Sequence, residues 1–268
     1  MNVYIDIGNT STVFGFSKKP GIYSVLRIKT KLICELAFLK KEIRAYLKKI
    51  KAKDNSVDKF VICSVVPIAQ VGLKKQLKKL FPKAATVCIG KDILIPIINK
   101  YKIPSQVGLD RLVNALAVKT NYSLPAIIVD FGTAITIDVV SQKAEYLGGI
   151  IVPGISLSLL SLHHHTALLP KLSAKMPKSL LGQDTDNSIL SGVFYGYACL
   201  VDGLIDKLKQ ELKLKAKDKI KVIATGGHLY LMRKLCKNID IYDPALTLKG
   251  IEKAYLKQGH KIKANGKS

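Results

Sequence analysis

The sequence predicts an α/β protein of two related lobes, because a short motif occurs twice and the same order of strands and helices follows each copy. The motif reads DIGNTSTVFGF at residues 6–16 and DFGTAITIDVV at residues 130–140. A repeat of domain size predicts two lobes that face each other across a cleft. We place them at residues 1–121 and 122–257, followed by a basic, flexible tail at residues 258–268.

The first lobe begins with a predicted β-hairpin, since two β-rich runs flank the turn sequence GNTS. The predicted strands of this lobe are VYIDI (3–7), TVFGF (12–16), YSVLRIK (23–29), FVICSVVP (60–67) and, more weakly, TVCIG (86–90). Leucine and isoleucine recur at helical spacing over residues 31–50, which predicts a long amphipathic helix. A second helix is expected after Pro67, and residues 108–121 also have a helical pattern.

The second lobe repeats this order. Its predicted strands are AIIVDFG (126–132), TAITIDVV (133–140), EYLGGIIVPG (145–154) and KVIATGG (221–227). A long helix is predicted from apolar residues that share one face, namely Leu190, Val193, Tyr197, Leu200, Leu204 and Leu208. The segment at residues 241–256 completes the lobe.

The composition is that of a globular, cytoplasmic protein. The chain has 268 residues, of which 48% are hydrophobic, and this is enough to bury a substantial core. No continuous apolar run reaches the roughly 18 residues that a membrane span needs. The five cysteines are scattered without a C-x-x-C pair, which predicts free thiols in a reducing compartment. The tract at residues 163–165 consists of three adjacent histidines, which cannot all converge on one metal ion from a regular backbone.

A formal charge of +24 raises nucleic acid as a partner. The distribution of the charge argues against it, because the lysines of LKKQLKKL (73–80) lie opposite the leucines of the same predicted helix. No aromatic residues alternate with these lysines, and tryptophan is absent, so no surface for base stacking is visible. We therefore predict a solvated, lysine-rich surface and neither a nucleic-acid nor a membrane partner.

The two Asp-x-Gly hairpins have the chemistry of a phosphate site. Glycine lets a ligand approach the backbone, and the N–H groups and hydroxyls of the turn can donate to phosphate oxygens. The carboxylate at the strand end can hold a cation. An ordinary hairpin turn uses the same residue types, but a second copy at the matching fold position favours a clamp that grips a polyphosphate from both lobes.

A set of short motifs in order along nearly the entire chain resembles type III pantothenate kinase. The motifs are DIGNT (6–10), SVVP (64–67), GLDR (108–111), DFGTAIT (130–136), GGIIVPG (148–154), TALLP (166–170), GQDT (182–185), SG (191–192), ATGG (224–227) and DPALTLKG (243–250). The resemblance implies two ribonuclease-H-like lobes of the actin-like ATPase fold. It also implies ATP-dependent phosphorylation of pantothenate, the first step of coenzyme A biosynthesis.

The resemblance implies a role for each matching residue. Asp110 is the expected general base, Asp6 orients Mg²⁺ through water, and Asp130 helps to bind a monovalent cation, K⁺ or NH₄⁺. ATP binding is implied for Asp6, Ile7, Gly8, Asn9, Thr10, Ser11, Thr12, Val13, Thr133, Gly226 and Gly227. Pantothenate binding is implied for Tyr101, Gly108, Leu109, Asp110, Arg111 and Thr185.

The resemblance further implies a homodimer that completes the acceptor pocket. Two alternatives stay open at the level of sequence. The same clamp can serve another small hydroxyl compound or carboxylate, or hydrolyse polyphosphate. The other alternative is a regulator of gene expression without enzymatic activity, which the basic charge would favour.

Overall fold

The computed structural model describes residues 1–212 and 220–264, and for residues 259–264 it describes only the backbone. The strands are β1 (Asn2–Ile7), β2 (Ser11–Lys19), β3 (Ile22–Lys29), β4 (Lys59–Ser64), β5 (Ala85–Cys88), β6 (Ile98–Asn99), β7 (Ala126–Phe131), β8 (Ala134–Val140), β9 (Glu145–Pro153), β10 (Lys221–Thr225) and β11 (Ile241–Tyr242). The α-helices are α1 (Leu36–Lys49), α2 (Pro67–Leu80), α3 (Leu109–Asn121), α4 (Ile155–His164), α5 (Thr185–Glu211), α6 (Leu229–Met232) and α7 (Leu246–Ala264).

The chain divides into two compact units. The first unit contains residues 1–97, 102–120 and the chain from residue 245, and the second contains residues 98–101 and 121–244. The sheet of the first unit has the strand order β3-β2-β1-β4-β5. In it β1 pairs antiparallel with β2 and parallel with β4, so the carboxyl ends of β1 and β4 lie at one edge.

The sheet of the second unit repeats this topology. Its order is β11-β10-β7-β8-β9-β6, so that β9, β8, β7, β10 and β11 occupy the places of β3, β2, β1, β4 and β5. β7 pairs antiparallel with β8 and parallel with β10, as β1 does with β2 and β4. The short strand β6 is added at the edge beside β9. The shared strand order confirms that both units are ribonuclease-H-like. Two such units make up an actin-like ATPase fold.

Helix α1 begins five residues after the predicted start at residue 31. Thr30–Leu32 form a 3₁₀ turn, and Glu35 is the N-cap residue with extended backbone angles. From there Leu39, Ile43 and Leu47 are buried against the sheet core, whose members include Ile5, Phe14 and Phe60. The predicted helical periodicity therefore identified the buried face of α1 correctly. The prediction was wrong for the segment before Leu36, which includes the 3₁₀ turn and is not part of the α-helix.

Helix α7 packs on the first unit, although the sequence-based division placed it in the second lobe. Its apolar residues Leu248, Ile251 and Ala254 are buried in one cluster with Tyr4 and Val61. Residues from 245 onward therefore return to the first sheet, where this apolar face is covered. Part of the predicted tail continues this helix through Ala264, and residues 265–268 lie outside the described residues.

Helix α5 is, within residues 1–212 and 220–264, the one helix long and apolar enough to cross a membrane by length and composition. A core helix passes the same test. Leu190, Phe194, Val201 and Ile205 of α5 are fully buried in the core of the second unit, and this burial accounts for much of its apolar character.

Candidate active site

The first hairpin turn joins β1 to β2 through Gly8, Asn9 and Thr10. The N–H of Gly8 donates to the carbonyl oxygen of Ser11 at 3.1 Å, which closes the turn. Asn9 and Thr10 are exposed, and Gly8 and Ser11 are half-buried. A ligand can therefore reach the turn from solvent, as the sequence predicts for a phosphate-binding loop.

Thr30 fixes the conformation of this turn from the end of β3. Its hydroxyl donates to the carbonyl oxygen of Gly8 at 2.6 Å, and its N–H donates to that of Thr10 at 3.0 Å. The Thr12 hydroxyl, which is fully buried, lies 3.0 Å from the Thr30 hydroxyl. Ile7 and Val13 are also buried. Of the predicted ATP contacts in this hairpin, Ile7, Thr12 and Val13 therefore form the buried base. Asn9, Thr10 and Ser11 form the side that a ligand can reach.

Arg27 is a cation at this turn that the sequence motifs did not reveal. Cross-strand pairing of β2 with β3 sets Arg27 opposite Val13, and Nη1 of Arg27 donates to the Ser11 hydroxyl at 3.1 Å. Arg27 is exposed. A guanidinium group beside a phosphate-binding turn suits bidentate contact with phosphate oxygens. Only the register of the hairpin could have indicated it, because Arg27 is distant from the motif in sequence.

Asp6 and Asp110, the predicted metal-orienting residue and general base, lie around one buried thiol. Asp6 is directly opposite Cys63 in the parallel pairing of β1 with β4. Burial raises the pKa of Cys63 well above its ordinary value, and the charges of Asp6 and Asp110 raise that pKa further. The first unit therefore brings both carboxylates to the carboxyl ends of β1 and β4.

The backbone at the start of α3 orients Asp110. Its Oδ1 atom accepts a hydrogen bond from the N–H of Arg111 at 2.8 Å. A methyl group on Gly108 would collide with this oxygen and lie 3.6 Å from Val65, so glycine leaves the room that the carboxylate occupies. The predicted substrate residue Leu109 packs its side chain against Gly90, and the predicted residue Arg111 is largely buried.

The second hairpin brings Asp130, Thr133 and Gly226 together. Gly132 and Thr133 form the turn between β7 and β8, and Thr133 is exposed. Gly226 follows β10, the parallel neighbour of β7, with φ of +103°. A methyl group on Gly226 would lie 2.5 Å from Oδ1 of Asp130. The contact with Asp130 and the positive φ therefore both require glycine at residue 226, and Gly227 next to it is exposed.

Thr185 lines a cavity of about 420 Å³ at the start of α5. The lining residues are Lys175, Met176, Lys178, Asp184, Thr185, Asp186 and Asn187. Asp184 caps the helix by accepting from the N–H of Asn187 at 2.7 Å. This backbone hydrogen bond, with smaller effects of the Asn187 side chain and the two lysines, lowers the pKa of Asp184. The cavity is therefore polar, and the formal charges of its two lysines are balanced by those of Asp184 and Asp186.

Tyr101, also predicted to contact the acceptor, lies against β9 in the same unit. Its ring would be 3.4 Å from a methyl group on Gly148, and its N–H donates to the Asn99 side chain at 3.0 Å. Tyr101 is not among the residues that line the cavity at Thr185. Each is placed in the second unit, and the contacts of the described residues do not join them directly.

The carboxylates fit a cation that keeps most of its own water or phosphate ligands. Among the side chains that the structure describes, those of residues 1–212 and 220–258, no three His, Cys, Asp or Glu group into a metal cage. Mg²⁺ in kinases is typically held by one or two carboxylates together with waters and substrate phosphates. Asp6 offers such a single carboxylate at a strand end, and Asp130 beside Gly226 offers another.

Comparison with known proteins identifies one family across most of the chain. The family model described as type III pantothenate kinase matches residues 2–207. A type III pantothenate kinase from Finegoldia magna is 40% identical over 92% of this chain and 94% of its own. Another, from Halalkalibacterium halodurans, is 38% identical over 96% of this chain and 99% of its own.

A solved structure shows the same fold at lower identity. It is a Campylobacter jejuni protein assigned to the Baf family of transcriptional activators, with a TM-score of 0.61 and 20% identity. The match covers 96% of this chain and 99% of that protein. At this identity the likeness supports the fold and carries no functional conclusion.

Proposed function

The chain belongs to the type III pantothenate kinase family, and we propose that it transfers the γ-phosphoryl group of ATP to the primary hydroxyl of pantothenate in coenzyme A biosynthesis. The observation that carries the proposal is the pair Asp6 and Asp110 around Cys63, in a chain whose relatives match over almost their full length. Phosphoryl transfer needs positioning and charge neutralisation, together with a group that takes the hydroxyl proton.

Asp110 is our choice for the general base. Its half-buried carboxylate lies at the first turn of α3, where Gly108 makes room for it and the N–H of Arg111 orients one oxygen. A carboxylate held at this position can accept the proton from the pantothenate hydroxyl. Arg111 supplies a guanidinium group beside the base, which suits the carboxylate of pantothenate or the charge that develops on the transferred group.

The nucleotide is proposed to bind through both hairpin turns. The first turn donates to phosphate oxygens through Gly8, Asn9, Thr10 and Ser11. In the second unit, Thr133, Gly226 and Gly227 contact ATP. We propose that Asp6 orients Mg²⁺ through water and that Asp130 helps to hold K⁺ or NH₄⁺; these cations neutralise phosphate charge.

A homodimer is proposed on the exposed side of α5. Gly192, Gly196 and Gly203 face open space, since a methyl group on any of them would meet no atom within 4 Å. Large apolar residues are exposed on the segments before this helix, namely Leu157, Leu160, Leu168, Leu180 and Leu181. Small residues allow the close approach of a second helix, and the leucines supply apolar area. The partner copy would complete the acceptor site near Thr185.

The cytoplasm is the proposed location. All five cysteines are free thiols, as expected in a reducing compartment.

A coupled ADP-release assay with pantothenate, ATP and Mg²⁺, in matched potassium and sodium buffers, tests the proposal. We expect ADP release that depends on pantothenate and is faster with potassium. Folded protein that releases no ADP in either buffer would contradict the proposed acceptor, and a panel of other small hydroxyl compounds would then follow.

A further inference from the structure

Three loops at one edge of the second sheet are linked in a closed ring. We call them the turn loop (residues 131–134), the α4 entry (residues 153–156) and the glycine loop (residues 226–228). The N–H of His228 donates to the carbonyl oxygen of Phe131 at 3.0 Å, which links the glycine loop to the turn loop. The N–H of Gly154 donates to the carbonyl oxygen of Thr133 at 3.0 Å, which links the α4 entry to the turn loop.

A side-chain hydrogen bond closes the ring. The Ser156 hydroxyl and Nε2 of His228 lie 3.0 Å apart, and they join the α4 entry to the glycine loop. Ser156 is exposed and His228 is half-buried. The two backbone links connect each of the other loops to the turn loop, and the Ser156–His228 bond connects the α4 entry directly to the glycine loop.

We propose that Ser156 and His228 are positioning residues for ATP. Their bond fixes the glycine loop to the α4 entry, which is itself bonded to Thr133, and this second connection limits the space between Gly226, Gly227 and Thr133. This inference rests on the proposed function, in which those three residues contact the nucleotide. Neither Ser156 nor His228 needs to touch ATP for this role.

The composition of the glycine loop explains why an additional bond matters. Glycine restricts the backbone least, so Gly226 and Gly227 lose more conformational freedom on ordering than other residues do. If the loop is ordered before ATP arrives, that cost does not reduce the binding affinity. Without the Ser156–His228 bond the two backbone links remain, so the unit should keep its fold while the loop becomes less ordered.

The test measures ATP binding by titration calorimetry with Mg²⁺ and without pantothenate. We expect Ser156→Ala and His228→Ala each to raise the Kd for ATP about threefold to tenfold, the range for one lost hydrogen bond. The double variant should be no weaker than the weaker single variant, because both substitutions remove the same link. The KM for pantothenate should stay at the wild-type value.

Two further variants separate positioning from a general effect on structure. Ser158→Ala removes another serine hydroxyl of α4, which lies 2.6 Å from the Tyr197 hydroxyl and takes no part in the ring. It should leave the Kd for ATP unchanged. His228→Gln places an amide nitrogen at a similar reach and should restore most of the affinity. If His228→Ala does not fold, Ser156→Ala, which changes an exposed residue, decides the question.

Unchanged ATP affinity in Ser156→Ala, additive effects in the double variant, or an equal loss in Ser158→Ala would each overturn the inference. Wild-type protein that binds ATP but phosphorylates no pantothenate would refute the proposed acceptor. In that case the Kd values for ATP would still show whether Ser156 and His228 position the glycine loop. Wild-type activity with unchanged affinity in the ring variants would refute the ring alone.

Discussion

Gly226 lies so close to Asp130 that a methyl group on the glycine would be 2.5 Å from Oδ1 of the carboxylate. The φ of Gly226, +103°, is also in a region that favours glycine. Gly226→Ala must therefore both strain the backbone and displace Asp130 or the glycine loop. We expect the Kd for ATP to rise at least about tenfold, since a 1.4 kcal/mol loss already has that effect. Calorimetric titration with ATP measures it.

Gly21→Ala is the matched control for backbone strain. Gly21 has φ of +78°, but no atom lies within 4 Å of the position that a methyl group would take. This substitution should lower the free energy of unfolding by about 1 to 2 kcal/mol, the cost of a left-handed residue, and leave ATP affinity unchanged. Equal ATP affinity in both variants would show that the contact with Asp130 has no role in nucleotide binding.

Asp110→Asn should lower kcat by roughly 10²-fold or more, the usual scale for a lost general base. Asparagine keeps an oxygen that can accept from the N–H of Arg111, so the fold and ATP affinity should stay near those of the wild type. Asp54→Asn is the control, because Asp54 pairs with Arg44 at an exposed position. Steady-state kinetics with pantothenate check the prediction. A wild-type kcat for Asp110→Asn would exclude Asp110 from this role.

Asp130→Ala should reduce the dependence of activity on potassium. A carboxylate oxygen is a favourable ligand for a hard cation, and Oδ1 of Asp130 lies beside both Gly226 and Gly132, the residue before Thr133. The measurement is a potassium titration of the ADP-release rate at constant ionic strength. An unchanged titration curve would show that the cation binds elsewhere.

The two hairpins and most of the strands of both units could be predicted from the sequence because the signals are local. Each hairpin is encoded by a turn motif between alternating or apolar runs, and the repeat relates the two sheets. The position of α7 could not be predicted in this way. Its apolar residues Leu248 and Ile251 would suit either core by composition, and their packing with Tyr4 of β1 and Val61 of β4 is a long-range contact without a local sequence signal.

The same distinction applies to the site. The GLDR motif indicated Asp110, and the hairpin motif indicated Asp6, but their common approach to Cys63 depends on the parallel pairing of β1 with β4. Arg27 reaches Ser11 only through the register of β2 with β3. Contacts that depend on strand pairing have no short-range sequence signal, so the sequence alone left them open.

Asp184→Ala should raise the KM for pantothenate, because Asp184 caps the helix turn that presents Thr185. Asp184→Asn is the matched control, since asparagine caps helices about as well as aspartate. The backbone hydrogen bond from Asn187 lowers the pKa of Asp184 below its ordinary value. Its contribution to stability is therefore fully present above the unfolded-state pKa and is lost as the pH falls through the lower folded-state pKa. Equal KM values in the alanine and asparagine variants would contradict a role for the cap.

Cys63 should not react with a thiol reagent while the protein is folded. Burial, followed by the charges of Asp6 and Asp110, raises its pKa well above the ordinary value, so almost no thiolate forms at pH 8. Cys34 is exposed and serves as the internal comparator. Labelling with a disulfide reagent at pH 8, followed by peptide mass mapping, should modify Cys34 first and Cys63 only after denaturation. Labelling of both at one rate would contradict the burial of Cys63, and with it the geometry that brings Asp6 and Asp110 together.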